Sequence, residues 1–198
     1  MNATVKVWDP LVRLFHWSLA GLFLANFFTE EGELVHRGFG YAILGLIAVR
    51  LVWGFIGTHH ARFSNWVPGP DRLRHYLRDR LAGRSRRQLG HNPAAAVMIL
   101  TLLGGVLLVA FTGWLQTTDR FFGDSWLEGL HEALAYGVLG LVVVHVLAAV
   151  GESLHYGENL IAAMVHGRKR ALGQDAAASK KAPRLAPSQV SRPATRQE

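Results

Sequence analysis

The sequence contains no cysteine, and this absence excludes several kinds of site at once. Disulfides, thiolate metal centres, iron–sulfur clusters and covalently attached c-type haem all require cysteine side chains. Histidine is left as the main soft donor for a metal, and the chain has 10 histidines. A redox or metal function of this protein would therefore depend on imidazole ligands.

Acidic residues are scarce, with 14 Asp and Glu against 21 Lys and Arg and a formal net charge of +7. A basic balance can indicate nucleic-acid binding, because Lys and Arg neutralise phosphates. Here the basic residues cluster between Arg62 and Arg87 and again from Arg168 onward, beside apolar segments. The positive-inside rule of membrane proteins explains this arrangement, which argues against a nucleic-acid partner.

Charges are missing from long apolar blocks of the chain. The block from Ala94 to Leu115 has 22 residues and no charge, which exceeds the run of about 18 apolar residues that indicates a transmembrane helix. The pattern predicts an all-α fold, an integral membrane four-helix bundle. Its four spans are expected over Leu11–Thr29, Val35–Gly57, Ala94–Leu115 and Gly129–Gly151.

The charges of the connecting segments predict the orientation of these spans. The segment from Thr58 to Pro93 is rich in arginine, and so is the C-terminal tail. The connection after the first span is acidic, and the segment from Gln116 to Glu128 has Arg120 as its one basic residue. By the positive-inside rule, both termini and the long middle segment are expected to face the cytoplasm.

The C-terminal part of the chain divides into two segments. Glu158 to Arg170 has the apolar and basic residues of a short amphipathic helix that lies at the membrane interface. Residues 171–198 are biased towards Ala, Lys, Pro and Ser, which predicts a disordered basic tail. The expected organisation is one membrane domain over residues 1–170, followed by this tail.

Two histidines lie on the same face of the fourth predicted span. His131 and His145 are 14 residues apart, which nearly completes four helical turns and separates the imidazoles by roughly 21 Å along the helix axis. A histidine inside a membrane helix is costly and indicates a functional site. The spacing therefore predicts two sites, one near each membrane surface.

Depth in the bilayer selects partners for these two histidines. His36 opens the second span on the side where His131 opens the fourth, and His16 enters the first span on the side nearer His145. Two imidazole pairs at two depths suit two planar macrocycles, each held by two axial nitrogens, because bundle cores build cofactor sites from facing helices. Such haem irons have no vacant position, which favours electron transfer. The remaining histidines are interpreted as exposed or interfacial: His59, His60, His75, His91, His155 and His166.

Two arginines add to this arrangement. Arg13 precedes His16 by three residues and shares its helix face, and Arg50 follows His36 by fourteen. An arginine within a span costs about 2.5–3.5 kcal/mol on insertion scales unless it has a partner or reaches the interface. Arg50 has two interpretations: a partner for a haem propionate, or a topology anchor that extends to the membrane surface.

Several motifs in order resemble a known family. They are VWDPLVRLFHW, LVHRGFGYAILGLIAVRLVWGF, HNP, LHEALAYGVLGLVVVHV and HYGENLIAAMVHGRKR, and they extend from about Val5 to Arg170. This pattern resembles the bacterial cytochrome b561 family, including the b-type cytochrome subunit of nickel–iron hydrogenases.

The resemblance implies a protein of the bacterial cytoplasmic (inner) membrane with two non-covalent b haems and axial ligands at His16, His36, His131 and His145. It also implies electron transfer between the quinone pool and a partner redox protein, such as a periplasmic c-type cytochrome or a hydrogenase. An electron-transfer subunit is the leading expectation. The alternatives are a stand-alone oxidoreductase, for example from superoxide to quinone, and a histidine-lined metal transporter.

Overall fold

The computed structural model describes residues 3–30, 33–84 and 87–171. These residues form seven helices and two short strands. In chain order they are β1 (Thr4–Lys6), α1 (Pro10–Asn26), α2 (Leu34–Ile56), α3 (Phe63–Trp66), α4 (Pro70–Leu81), α5 (Pro93–Leu115), α6 (Ser125–Tyr156), α7 (Leu160–His166) and β2 (Arg168–Arg170).

Side-chain caps determine where the long helices begin. The Asp9 carboxylate accepts from Val12 N at 2.9 Å, and Pro10 occupies the first helical position of α1. Asn92 and Pro93 repeat this arrangement at α5, where Asn92 Oδ1 accepts from Ala95 N at 2.8 Å. Such caps provide acceptors for backbone N–H groups in the first turn, which have no partner within the helix. Proline suits the first helical position because it has no backbone N–H that would need an acceptor there.

The helices α1, α2, α5 and α6 form the helical body of the protein. Helix α1 packs against α2, α2 against α5, and α5 against α6. One buried apolar cluster contains side chains from all four helices, namely Phe23, Ile43, Ile47, Val106 and Val138. The body therefore has a single core, and much of its remaining apolar surface faces outward, as in a protein surrounded by lipid.

Among the described helices, three are long and apolar enough to span a membrane: α2, α5 and the 32-residue α6. The protein is therefore a membrane protein. Helix α1 has 17 residues, about 26 Å at 1.5 Å per residue. This is slightly shorter than the hydrocarbon core of a bilayer, about 30 Å. The described helix α6 extends beyond both ends of the predicted span Gly129–Gly151.

The helical body has two distinct ends. The far end carries the connections α1–α2 and α5–α6, whereas the sheet end carries α3, α4, α7 and an antiparallel pair of β1 with β2. The described residues are mostly helical, as the sequence predicts, and this pair of three-residue strands is a feature that it did not predict. The chain segments before α1 and after α7 are brought side by side, and Thr4 pairs with Arg170 while Lys6 pairs with Arg168.

The segment predicted as an interfacial helix is only partly helical. Helix α7 covers Leu160 to His166, and Gly167 ends it with a φ of 82° before the chain enters β2. Positive φ costs least at glycine, which explains this residue at the turn. The predicted disordered tail lies outside the described residues, apart from Ala171.

A buried ion pair connects chain segments at the sheet end. Arg87 lies in the segment between α4 and α5, and its Nη2 is 2.7 Å from Glu158 Oε2, between α6 and α7. The same Nη2 donates to Arg170 O at 2.6 Å, and Arg170 N donates to Glu158 Oε1 at 2.5 Å. These contacts join three segments that are distant in sequence, and we call them the Arg87–Glu158 clamp.

Candidate functional site

The four predicted histidines form two pairs at opposite ends of the helical body. At the far end, the ring centroids of His36 on α2 and His131 on α6 are 6.2 Å apart. At the sheet end, those of His16 on α1 and His145 on α6 are 6.4 Å apart. The structure thus brings together the pairs that the depth argument predicts, with α6 contributing one member to each.

Two threonines orient the far-end pair. The Thr112 hydroxyl contacts the backbone oxygens of Leu108 and Val109 and lies 3.0 Å from His131 Nδ1. Since its hydrogen has a carbonyl acceptor, the Thr112 oxygen accepts from His131 Nδ1–H. Thr29 is arranged in the same way, with Asn26 O at 2.8 Å and His36 Nδ1 at 3.1 Å. Both contacts favour the tautomer in which Nε2 carries the lone pair.

A cavity of about 180 Å³, open to the surface, lies beside the far-end pair. Its walls include both histidines and the rings of Phe27 and Tyr136. Small residues keep the space open: a Cβ at Gly40 would meet no atom within 4 Å. Gly113 has the opposite role, because a Cβ there would lie 3.0 Å from His131 Cε1. The ring of His131 therefore packs directly against the backbone of α5.

Two arginines of the helical body lie at the sheet end, Arg13 on α1 and Arg50 on α2. Arg50 is buried, donates from Nη2 to Ala61 O at 3.2 Å, and stacks with its Cζ 4.8 Å from the centre of the Phe63 ring. Its Nη1 is buried and has no hydrogen-bond partner among the described residues, and the same holds for Arg13 Nε and His16 Nδ1. A buried donor without an acceptor is costly. These contacts disfavour the interpretation of Arg50 as an anchor that extends to the membrane surface.

Among residues 3–30, 33–84 and 87–171, no three His, Asp or Glu side chains converge as a metal-binding cluster. Four imidazoles of the helical body form two pairs, each with one member on α6. A family model described as prokaryotic cytochrome b561 matches residues 7–167.

The chain belongs to the prokaryotic cytochrome b561 family. Curated relatives carry the name "Probable Ni/Fe-hydrogenase B-type cytochrome subunit". The protein from Bradyrhizobium diazoefficiens is 24% identical over 84% of this chain and 86% of its own length. The protein from Azotobacter vinelandii is 26% identical over 84% of this chain and 88% of its own length. No solved structure shows a significant match.

Membership of a cytochrome b family indicates a membrane electron-transfer protein that holds haem b, and the histidine pairs fit that group. When two imidazoles bind one metal from opposite sides, each metal–nitrogen bond is about 2.0 Å and each ring centre lies about 1.2 Å beyond its nitrogen. The two ring centroids are then about 6.4 Å apart. The observed separations are 6.2 and 6.4 Å. The unpartnered donors of Arg13 and Arg50 also suit a cofactor with carboxylates.

A stack of three aromatic rings near the sheet-end pair was not predicted from the sequence. His91 was interpreted as exposed or interfacial, but its ring lies between Trp8, at 4.5 Å, and Trp66, at 4.9 Å, by centroid distance. Burial and the positive charge of Lys169 lower the pKa of His91 to about 3, so this imidazole is neutral at physiological pH. Trp8 and Trp66 are buried. Three distant segments meet in this stack, and no spacing in the sequence indicates it.

Proposed function

We propose that this cytochrome binds two non-covalent b haems and transfers electrons across the bacterial cytoplasmic membrane. In this proposal α1, α2, α5 and α6 are four spans of a bundle, with both termini on the cytoplasmic side. The arginine-rich segment at the sheet end supports this orientation. The organisation into residues 1–170 as the cytochrome domain and 171–198 as a tail is part of the proposal.

The observation that carries the proposal is the placement of the histidines. His36 and His131 would hold one haem at the far end, and His16 and His145 the other at the sheet end. The spacing of His131 and His145 along α6 separates the two sites by roughly 21 Å, so electrons would cross much of the membrane between them. Haem b held by two imidazoles would supply a reversible one-electron couple and would leave no open position for substrate.

The protein's own residues prepare each site for its cofactor. Thr29 and Thr112 fix the Nδ1–H tautomers of the far-end histidines, which would make Nε2 the ligating nitrogen. At the sheet end, Arg50 Nη1 would bind a haem propionate, and Arg13 would contribute a second positive charge. A propionate would satisfy the buried Arg50 donor.

We further propose that electrons pass between the quinone pool and a redox protein outside the cytoplasmic membrane. The names of the relatives support a nickel–iron hydrogenase as that partner. A periplasmic c-type cytochrome is the alternative redox partner in this proposal. The paired histidines favour haem binding over a histidine-lined metal transporter, and the names of the relatives favour an electron-transfer subunit over a stand-alone oxidoreductase.

The direct test is a reduced-minus-oxidised spectrum of the purified full chain, combined with haem and protein quantification. We expect a b-type spectrum and two haems per chain. One haem per chain would contradict the two-site proposal, and no b-type haem would contradict the cofactor altogether.

Replacing Thr112 with valine is expected to affect the far-end site alone. The His131 ring would lose its Nδ1 acceptor, so the retention of that haem should weaken about 10-fold or more, as other metal sites do when such a partner is removed. The midpoint potential of one haem should also rise, because the imidazole becomes less basic. Potentiometric titration measures both haems in one experiment.

Thr101→Val is the matched control for this substitution. Thr101 lies on α5 as well, and its hydroxyl donates to Val97 O at 2.9 Å. It should leave both potentials unchanged. Equal shifts in Thr112→Val and Thr101→Val would show that the Thr112 contact has no role in ligand orientation.

A further inference from the structure

Helix α4 presents a surface that neither the helical body nor the proposed haem sites use. It lies at the sheet end, packs against α5, and is held to α6 by the ion pair of Arg80 Nη2 with Glu152 Oε1 at 2.5 Å. Glu152 follows directly on the long apolar run of α6 that ends at Gly151. Helix α4 is therefore fixed where the membrane-spanning part of α6 ends, at the level of lipid headgroups.

The inward face of α4 and the exposed face are clearly separated. Leu73, Tyr76 and Arg80 are partly buried, at the spacing i, i+3 and i+7 that forms one side of a helix. On the adjoining side, Leu77 is 45% exposed and Leu81 is 90% exposed. An exposed apolar pair beside the helical body indicates contact with another apolar phase.

Two exposed arginines border these leucines. Arg74, Leu77, Arg78 and Leu81 stand at i, i+3, i+4 and i+7, so they form one continuous patch. We call this the Arg74–Leu81 patch. Leucines beside arginines on one helix face are typical of helices that lie in the membrane interface, with guanidinium groups at phosphates and leucines at the acyl chains.

We infer that the Arg74–Leu81 patch binds an anionic phospholipid of the leaflet at the sheet end. The charge complements a lipid phosphate, because Arg74 and Arg78 are exposed while Arg80 already has Glu152 as its partner. Arginine recognises phosphate with two parallel hydrogen bonds, and basic residues near a membrane attract anionic lipids. In this position the lipid holds α4 against the membrane beside the ends of α5 and α6.

The absence of cysteine from the chain allows a direct measurement of depth. Leu77→Cys, Leu81→Cys and His75→Cys each provide a single attachment point for a nitroxide label, and His75 is exposed on the opposite side of α4. The full chain is placed in nanodiscs that contain phosphatidylglycerol. We expect the labels at positions 77 and 81 to be relaxed more by oxygen than by a polar nickel complex, and the reverse at position 75.

A lipid-binding measurement tests the arginines. Delipidated full-chain protein is titrated with phosphatidylglycerol or with phosphatidylcholine of the same acyl chains, and adducts are counted by native mass spectrometry. We expect Arg74→Gln/Arg78→Gln to weaken phosphatidylglycerol binding by about tenfold or more, since each basic residue near a membrane contributes about 1 kcal/mol. Phosphatidylcholine binding should change little.

The control variant Arg72→Gln/Arg120→Gln also removes two exposed arginines, from outside the patch. Equal phosphatidylglycerol binding by the two double variants would overturn the inference. The inference would also be overturned if the nickel complex reached the labels at positions 77 and 81 as readily as the label at position 75. Neither measurement depends on bound haem, so both would still test the lipid inference if the protein proved to bind no haem.

Discussion

Replacing His131 with alanine is expected to remove the same haem that is lost when His36 is replaced, leaving one haem per chain in both variants. The reason is that an iron held by two imidazoles loses one of its two protein ligands, and the His36 and His131 rings are the pair at the far end. His16→Ala and His145→Ala should each remove the other haem. Haem per protein, measured after purification, gives the count.

Double variants decide the pairing without any need to distinguish the two spectra. His36→Ala/His131→Ala should retain one haem, because both changes affect one site. His36→Ala/His145→Ala should retain none, because each change empties a different site. If the second variant kept one haem and the first kept none, the pairing by depth would be refuted.

His75→Ala and His155→Ala are the controls, because both side chains are exposed near the sheet end. They should retain both haems with unchanged spectra. Loss of haem in these controls would mean that haem content reports general damage to the membrane domain rather than the loss of a ligand.

The histidine pairs could be predicted because they depend on two regular quantities. Helical periodicity places His131 and His145 on one face of α6. Because successive spans run in opposite directions, His36 lies at the depth of His131, and His16 lies at the depth of His145. The helix cap formed by Asn92 and Pro93 is also a local feature, since it acts within a few residues. Whether these histidines bind haem stays a prediction that the variants above test.

The partners of these residues could not be predicted, because they come from other helices or from distant segments. Thr112 meets His131 only through the packing of α5 on α6. The Trp8–His91–Trp66 stack and the β1–β2 pair each join parts of the chain that are far apart in sequence. Helix α4 lay within a segment that the sequence analysis described only by its charge. The spacing of residues along one sequence does not predict contacts of this kind.

Replacing Arg87 with methionine should destabilise the protein by about 3–5 kcal/mol, the usual effect of removing one member of a buried ion pair. The side chains of Arg87 and Glu158 are only 6% and 11% exposed, so the Glu158 carboxylate would be left largely out of water without its main partner. The expected result is a lower thermal unfolding midpoint of the detergent-solubilised protein, followed by near-UV circular dichroism.

Arg84→Met is the matched control for that substitution. Arg84 also lies just after α4 and pairs with Asp79, but at 4.0 Å and with 69% of its side chain exposed. Exposed pairs contribute about 0–1 kcal/mol, so its midpoint should stay close to that of the unaltered protein. Equal losses in the two variants would mean that the clamp contributes no more than a surface ion pair.

The same clamp predicts how stability depends on pH. Burial raises the pKa of Glu158, but hydrogen bonds from Arg87 and the Arg170 backbone outweigh it and hold the pKa below the ordinary value. The carboxylate therefore stabilises the folded state fully above the pKa of an unfolded glutamate, about 4.3, and this stabilisation is lost as the pH falls below it. Glu158→Gln should lower the midpoint at pH 7 and flatten its decline in acid. An unchanged acid profile in Glu158→Gln would show that other carboxylates, such as Asp9 with its lowered pKa, determine the acid response.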